Sequence, residues 1–162
     1  MGHHLRMRVA LVAAGVCISS WASLASAQTQ QEHVHNSAHT AMPFDMSKTL
    51  HIFRMTEQGG VQRVVIRDPS DRAQVPLIQQ HLKHEAEQFR NGDYSDPGAL
   101  HGKDMPGLQD LQTAKSQVVI SYAARPDGAE ITFATEDRRL LTAIHRWFGA
   151  QLSEHGADAK AE

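Results

Sequence analysis

The chain has 162 residues, 41% of them hydrophobic and 21% charged, with a net charge of −2 when histidine is neutral and a single cysteine. This length suits one domain with a modest core. One cysteine excludes a disulfide framework, and a near-balanced charge without a long basic run argues against nucleic acid as a partner.

Residues 1–27 read as an export address. Arg6 and Arg8 make a basic start, Val9 to Val16 is almost wholly apolar, and Ala25-Ser26-Ala27 offers the small-x-small pattern that a signal peptidase cuts. The apolar run is too short, and too broken by Ser19, Ser20 and Ser23, for a retained spanning helix. A lipid anchor on Cys17 is disfavoured by Val16, where such signals carry a small residue. Removal of the leader takes the net charge from −2 to −4 and takes the only cysteine with it. A thiol nucleophile, a thiolate zinc site and cysteine-linked haem go with that residue. The expected location is the periplasm or the exterior, peripheral to a membrane at most.

Residues 28–47, rich in Gln, His, Ser, Thr and Ala, have little to bury and read as a flexible arm. A single α+β domain is expected over 48–159. Thr49 to Thr56 has strand character, Gly59-Gly60 supplies a turn, and the β-branched run Val61 to Arg67 is the hairpin partner. Asp68-Pro-Ser-Asp71 breaks the strand. From about Gln74 to Arg90, Val75, Ile78, Leu82, Ala86 and Phe89 keep helical spacing, with Pro76 tolerable only near a helix start. Asn91-Gly92 ends that helix.

The second half repeats the order. Val118, Ile120 and Tyr122 alternate within Gln117 to Ala123, Pro126-Asp127-Gly128 turns the chain, and Ile131 and Phe133 mark the return strand. Thr135-Glu136-Asp137 opens a helix whose stripe is Leu141, Ile144, Phe148 and Leu152, and Gly156 stops it. The two helices share a local pattern, Leu77-Ile78-x-x-His81 and Leu141-x-x-Ile144-His145. The expected architecture is two ββα halves forming a four-stranded antiparallel sheet with two helices on one face. A pseudo-twofold axis between the halves would bring His81 toward His145. Between them, 91–107 holds four glycines and two prolines and is expected to be a long, packed loop without regular structure.

With thiolate gone, imidazole and thioether are the soft or borderline metal ligands that remain. His101-Gly-x-x-Met105 sets one of each across a flexible glycine, a mixture suited to Cu(I). The alternative is a histidine bonded to its own loop and a methionine filling a core gap. His81 and His84 share a helix face, and are equally readable as one buried and one exposed histidine. In the arm, His33, His35 and His39 with Met42 and Met46 form a loose collector or simply a solvated leader. Trp147 is a lid over a cation or part of the core. Asp93, Asp96 and Asp104 lack the spacing of a calcium loop. No nucleophile elbow, no His-Glu-x-x-His and no phosphate-cradling glycine loop occurs.

Several fragments carry a resemblance: Gly59-Gly-Val-Gln62, His81-Leu82, Glu85-Ala86, Gly92-Asp93, Asp96-Pro97, His101-Gly102, Asp104-Met-Pro-Gly-Leu108, and Ile144-His145-x-Trp147-Phe148-x-Ala150-Gln151 with His155-Gly156. Over about residues 48 to 159 the chain resembles a family of small exported bacterial proteins without an established activity, some labelled aspartate carbamoyltransferase. A true transcarbamoylase is a longer cytosolic enzyme with a Ser-Thr-Arg-Thr phosphate loop and a His-Pro-x-Gln segment, and neither motif is present. The resemblance implies one compact domain and no chemistry.

Together these features point to an exported metal-binding protein. His81, His101, Met105 and His145 are the expected ligands and copper the first choice of metal, with zinc or a non-covalent haem behind it. The expected role is binding, delivery or tolerance rather than turnover, with the metal ion and another envelope protein as partners. A metal-free module for a small ligand or partner protein is the alternative, and a zinc-dependent hydrolase ranks below both.

Overall fold

A computed structural model describes residues 29–38 and 41–162; the leader with Cys17, and His39, lie outside the described residues. Two hairpins form the middle of the sheet. β1 (Thr49–Thr56) and β2 (Gly59–Ile66) pair antiparallel, as do β3 (Val119–Arg125) and β4 (Gly128–Ala134), and β2 pairs antiparallel with β4. The expected four-stranded antiparallel sheet gains a fifth strand. β5 (Ala159–Ala161) runs parallel to β1, giving a mixed sheet in the order β3-β4-β2-β1-β5. Ala-Lys-Ala has no β-branched residue to announce a strand. It pairs because the preceding helix delivers it to an open edge.

Five helical segments replace the expected two. The long pair is α2 (Gln74–Arg90) and α5 (Arg138–His155). Pro76 sits in the first turn of α2, where an amide has no intrahelical acceptor in any case. The Asp137 carboxylate caps α5 by accepting from the amides of Arg139 and Leu140. Its buried stripe is Leu140, Ile144, Trp147, Phe148, Gln151 and His155, while Leu141 and Leu152 fall at the half-buried margins. Both helices cover the same sheet face: Phe89 of α2 packs on Phe133, and Phe148 of α5 packs on Phe53 and Phe133. Trp147 joins this aromatic core edge-on to Phe89, Tyr94 and Phe133.

The expected turn at Gly59-Gly60 moves by two residues. Thr56 pairs with Gly59, so Glu57 and Gln58 make the turn and both glycines begin β2. Their role is close approach. A Cβ on Gly60 would lie 2.5 Å from the Phe148 ring, so the missing side chain lets α5 settle on the strand.

The segment 91–107 also departs from expectation, since its middle is folded into α3 (Ser95–His101) ahead of α4 (Leu108–Ala114). Asp93 accepts from the Ser95 amide at the start of α3, Pro97 falls in its first turn, and Gly102 at φ 99° ends it. The glycines and prolines are therefore helix punctuation rather than loop filler. Gly107, at φ 85°, has room for no Cβ, which would lie 2.2 Å from the Ala143 carbonyl oxygen of α5. That contact fixes the start of α4 on α5.

The arm, expected to be flexible, contains a helical stretch α1 (29–38) docked on the domain. Val34 and Ala38, one turn apart, are fully buried. Gln30 donates to the His101 carbonyl and Gln31 to the Ser153 carbonyl, oxygens in the last turns of α3 and α5. Such carbonyls lack an intrahelical partner, and glutamine side chains supply it. Phe44 and Met46 then enter the core.

A buried polar chamber as candidate functional site

The wall elements above leave a cavity of about 50 Å³ between α2, α5 and the sheet. β1 and β2 give it His51 and Gln62; α2 gives His81, Leu82, Glu85 and Phe89; α5 gives Trp147, Gln151 and His155. α3 closes one end with Asp96, Pro97, Leu100 and His101, and Met42 of the arm reaches it as well. A larger depression, about 610 Å³, lies between α4 and α5 beside Arg138, Arg139 and Arg146. It is an open groove of exposed side chains, and its polar groups keep their water. The smaller chamber is where polarity is buried.

Three imidazoles meet there. His51 and His155 stack with centroids 4.7 Å apart, and His101 stands edge-on to His155 at 4.9 Å. His81 is a fourth, edge-on to Phe44 at 5.6 Å. The Nδ1–H of His101 donates to Glu154 at 2.8 Å.

Burial sets the protonation of the chamber. Desolvation, helped by the positive potential of His81 and His101, lowers the pKa of His51 to about 3. Desolvation lowers His81 to about 4, and desolvation with His51 and His101 lowers His155 well below the usual imidazole value. Glu85 moves the other way, up to about 8, through desolvation and then through the hydrogen bond and negative charge of Asp96. Near neutral pH these four groups are therefore uncharged.

Six buried side-chain nitrogen or oxygen atoms among the described residues have no hydrogen-bond partner in the protein. One is Arg63 Nε; the other five are His51 Nδ1, Gln62 Oε1, Glu85 Oε1, Trp147 Nε1 and Gln151 Nε2, all on residues lining the chamber. An unsatisfied buried polar group costs about 1–3 kcal/mol. Five together would cost about 5–15 kcal/mol, the size of a whole domain's stability. Native proteins rarely tolerate that, so these atoms mark a place that takes a partner from outside the chain.

The four expected metal ligands do not share this place. His81 and His101 line the chamber. Met105 is packed into the hydrophobic core at 5% exposure, as a methionine filling space does. His145 is committed to the β1–β2 hairpin, where its Nε2–H donates to the carbonyls of Thr56 at 3.0 Å and Gly59 at 2.8 Å. The pseudo-twofold expectation fails for His145 because its counterpart is Gln79, which donates to the Arg125 carbonyl of the other hairpin. Among the described residues, no three or more His, Cys, Asp or Glu groups gather around a point that would hold a metal. His33, His35 and His84 are exposed, with His35 paired to Asp158 at 3.0 Å.

Sequence reasoning overlooked His51, and met Gln62, Glu85, Gln151 and His155 without assigning them to a site. Their signal was positional. His51 alternates with Thr49 and Phe53 on the helix-facing side of β1, Glu85 falls on the stripe of Ile78, Leu82 and Phe89, and Gln151 and His155 extend the stripe of Ile144, Trp147 and Phe148. Polar residues on apolar stripes are the mark of a buried site. No helix of the described residues is long and apolar enough to cross a membrane. No family model, curated protein or solved structure matches this chain.

Proposed function

We propose that the protein is a binding module whose buried chamber takes up a small polar ligand. The observation that supports this reading is the gathering of five unpartnered polar atoms on residues around one small cavity. These atoms come from four separate elements, an arrangement that makes sense for surrounding a guest and serves no helix cap or sheet. The sites of small molecules are commonly concave and largely apolar, with few well-placed polar groups, and Leu82, Phe89 and Leu100 supply the apolar remainder. The role is uptake and carriage, with the arm helix α1 closing over the α3 end of the site.

A panel of polar compounds with up to about five non-hydrogen atoms tests this, since a cavity needs ~10–15 Å³ per water-sized group. Saturable shifts of the Trp147 indole N–H resonance by one or more compounds are the expected result. A panel that leaves the resonance unmoved throughout overturns the reading.

One observation favours a second reading, binding of copper or zinc. A metal-ligating histidine usually gives its other ring nitrogen to a carboxylate, and Glu154 holds His101 in that way beside His155. His101 and His155 would then supply the first ligands, in place of Met105 and His145, and side chains would have to move to complete the set, since no three ligating groups gather as they stand among the described residues. A Cu(I) or Zn(II) titration decides it: one equivalent bound and lost with His101→Ala supports the metal, and binding unaffected by His101→Ala overturns this ligand set.

A further inference from the structure

The unpartnered atoms are not distributed at random around the chamber. The two obligate donors, Trp147 Nε1–H and Gln151 Nε2–H, both belong to α5 and stand four residues apart on its buried stripe. The acceptors come from other elements. Gln62 Oε1 is on β2, and Glu85 Oε1 on α2 is left over when the carboxyl bonds to Asp96. His51 Nδ1 on β1 adds an atom that accepts or donates with its tautomer. A guest that satisfies this set carries an acceptor toward α5 and hydrogen-bond donors toward β2 and α2.

Size narrows the guest further. At ~10–15 Å³ for each water-sized group, a cavity of about 50 Å³ holds about three to five such groups. Charge narrows it again. His51, His81, His155 and Glu85 are held neutral by burial, so an ion placed among them would lose its hydration, and the Asp96 carboxylate on the same lining, already engaged by Glu85, would repel an anion.

We propose that the chamber is selective for a small uncharged primary amide or urea, its carbonyl oxygen accepting from Trp147 Nε1 and Gln151 Nε2 and its N–H groups donating to Gln62 Oε1 and Glu85 Oε1. This rests on the chamber being a ligand site and names the class of its ligand. The amide is the smallest neutral group that presents both polarities in one rigid plane, and it replaces each missing partner by one of matching sense. An apolar guest would leave all five atoms unpaired, and an isosteric carboxylate would set negative charge against the Gln62 and Glu85 oxygens.

The test uses the isotope-labelled full chain, with Trp21→Phe to assign the indole resonance of Trp147. Formamide, acetamide and urea are titrated to ~0.1 M, well below denaturing concentrations, beside acetate, guanidinium and methylammonium at matched ionic strength. Expected are saturable shifts of the Trp147 indole and Gln151 amide signals, with the neutral amides binding at least about tenfold tighter than their charged analogues. Gln151→Leu and Gln62→Leu are each expected to weaken urea binding about tenfold, one hydrogen bond's worth. Equal or tighter binding of the ions overturns the amide assignment while the chamber remains a ligand site. Silence from every probe removes both. Should either leucine variant fail to fold, the comparison of neutral and charged probes on the unsubstituted pocket still decides.

Discussion

The two ββα halves share a topology and differ in what they do with it. Aligning the hairpins by register, with Thr56–Gly59 over Arg125–Gly128, sets His51 against Ile120 and Gln62 against Ile131. The inward face of β3–β4 is thus hydrophobic where that of β1–β2 is polar. The helices are more alike. With the Gln79 and His145 tethers superposed, Ile78 matches Ile144, Leu82 matches Phe148, and the buried Glu85 matches the buried Gln151. Both helices direct a polar residue toward the chamber, but only one hairpin answers it. A repeated architecture thereby differs in its lining: β3–β4 supplies an ordinary core, and β1–β2 sets His51 and Gln62 against the chamber.

Making the second half imitate the first should be the most damaging change. Ile131→Gln removes a fully buried side chain and inserts an amide with no partner, an expected loss of about 3–5 kcal/mol in urea unfolding. A loss below about 1 kcal/mol would mean the two inward faces are not distinct environments.

Acid and alkali should strip the site from opposite sides. Because the folded pKa values of His51 and His81 lie near 3 and 4, below the ordinary 6.5, the unfolded chain takes up protons that the folded one refuses as pH falls from 6.5. That contribution is intact above 6.5 and declines on acidification, about 1.4 kcal/mol per pH unit for each proton. Glu85, raised to about 8 from 4.5, behaves inversely; its contribution is complete below 4.5 and lost as pH rises toward 8. Thermal melts should therefore show a maximum near neutrality or slightly below. Glu85→Gln should flatten the alkaline limb and steepen the acid limb above pH 4.5, and an unchanged alkaline slope would contradict the assignment of Glu85.

The tethers offer a finer contrast. His145→Ala leaves two hairpin carbonyls without their donor and is expected to cost about 1–3 kcal/mol. Gln79→Ala, at a more exposed pair, should cost less than about 1 kcal/mol. Faster amide exchange confined to the 56–59 turn in the first variant would locate the effect, whereas equal losses would erase the distinction.

The gentlest change makes the first half imitate the second. Gln62→Ile removes an unpartnered carbonyl and supplies apolar volume, so stability should stay within about 1 kcal/mol of the original or rise. Small-ligand uptake should fall at the same time. A protein weakened by several kcal/mol would show that Gln62 has a structural bond after all.

Both hairpins and both long helices were legible because their periods, two and 3.6, are carried by Val, Ile, Leu and Phe at regular intervals. What escaped was fixed by tertiary context. Ala159–Ala161 became a strand through an available edge, α1 formed because Gln30 and Gln31 found helix-end carbonyls, and α3 because Asp93 and Gly102 punctuate it. For the site, counting histidines was the wrong instrument. His145 and Met105 have ligand chemistry but structural employment, while His51 and Gln151 gain importance solely from the face on which they fall. Residue type says what an atom can do; only position says whether water already does it.

The clasp between the ends of the described chain has a consequence for how the molecule comes together. Gln31 binds Ser153, His35 binds Asp158, and β5 lies along β1, so the first and last segments hold each other. Gln31 and His35 of α1 find these two partners only once residues 153–158 have folded. Gln30 separately ties α1 to the end of α3 by donating to the His101 carbonyl. Docking of α1 is thus coupled to the folding of residues 153–161, and each segment should shield the other's amides from exchange.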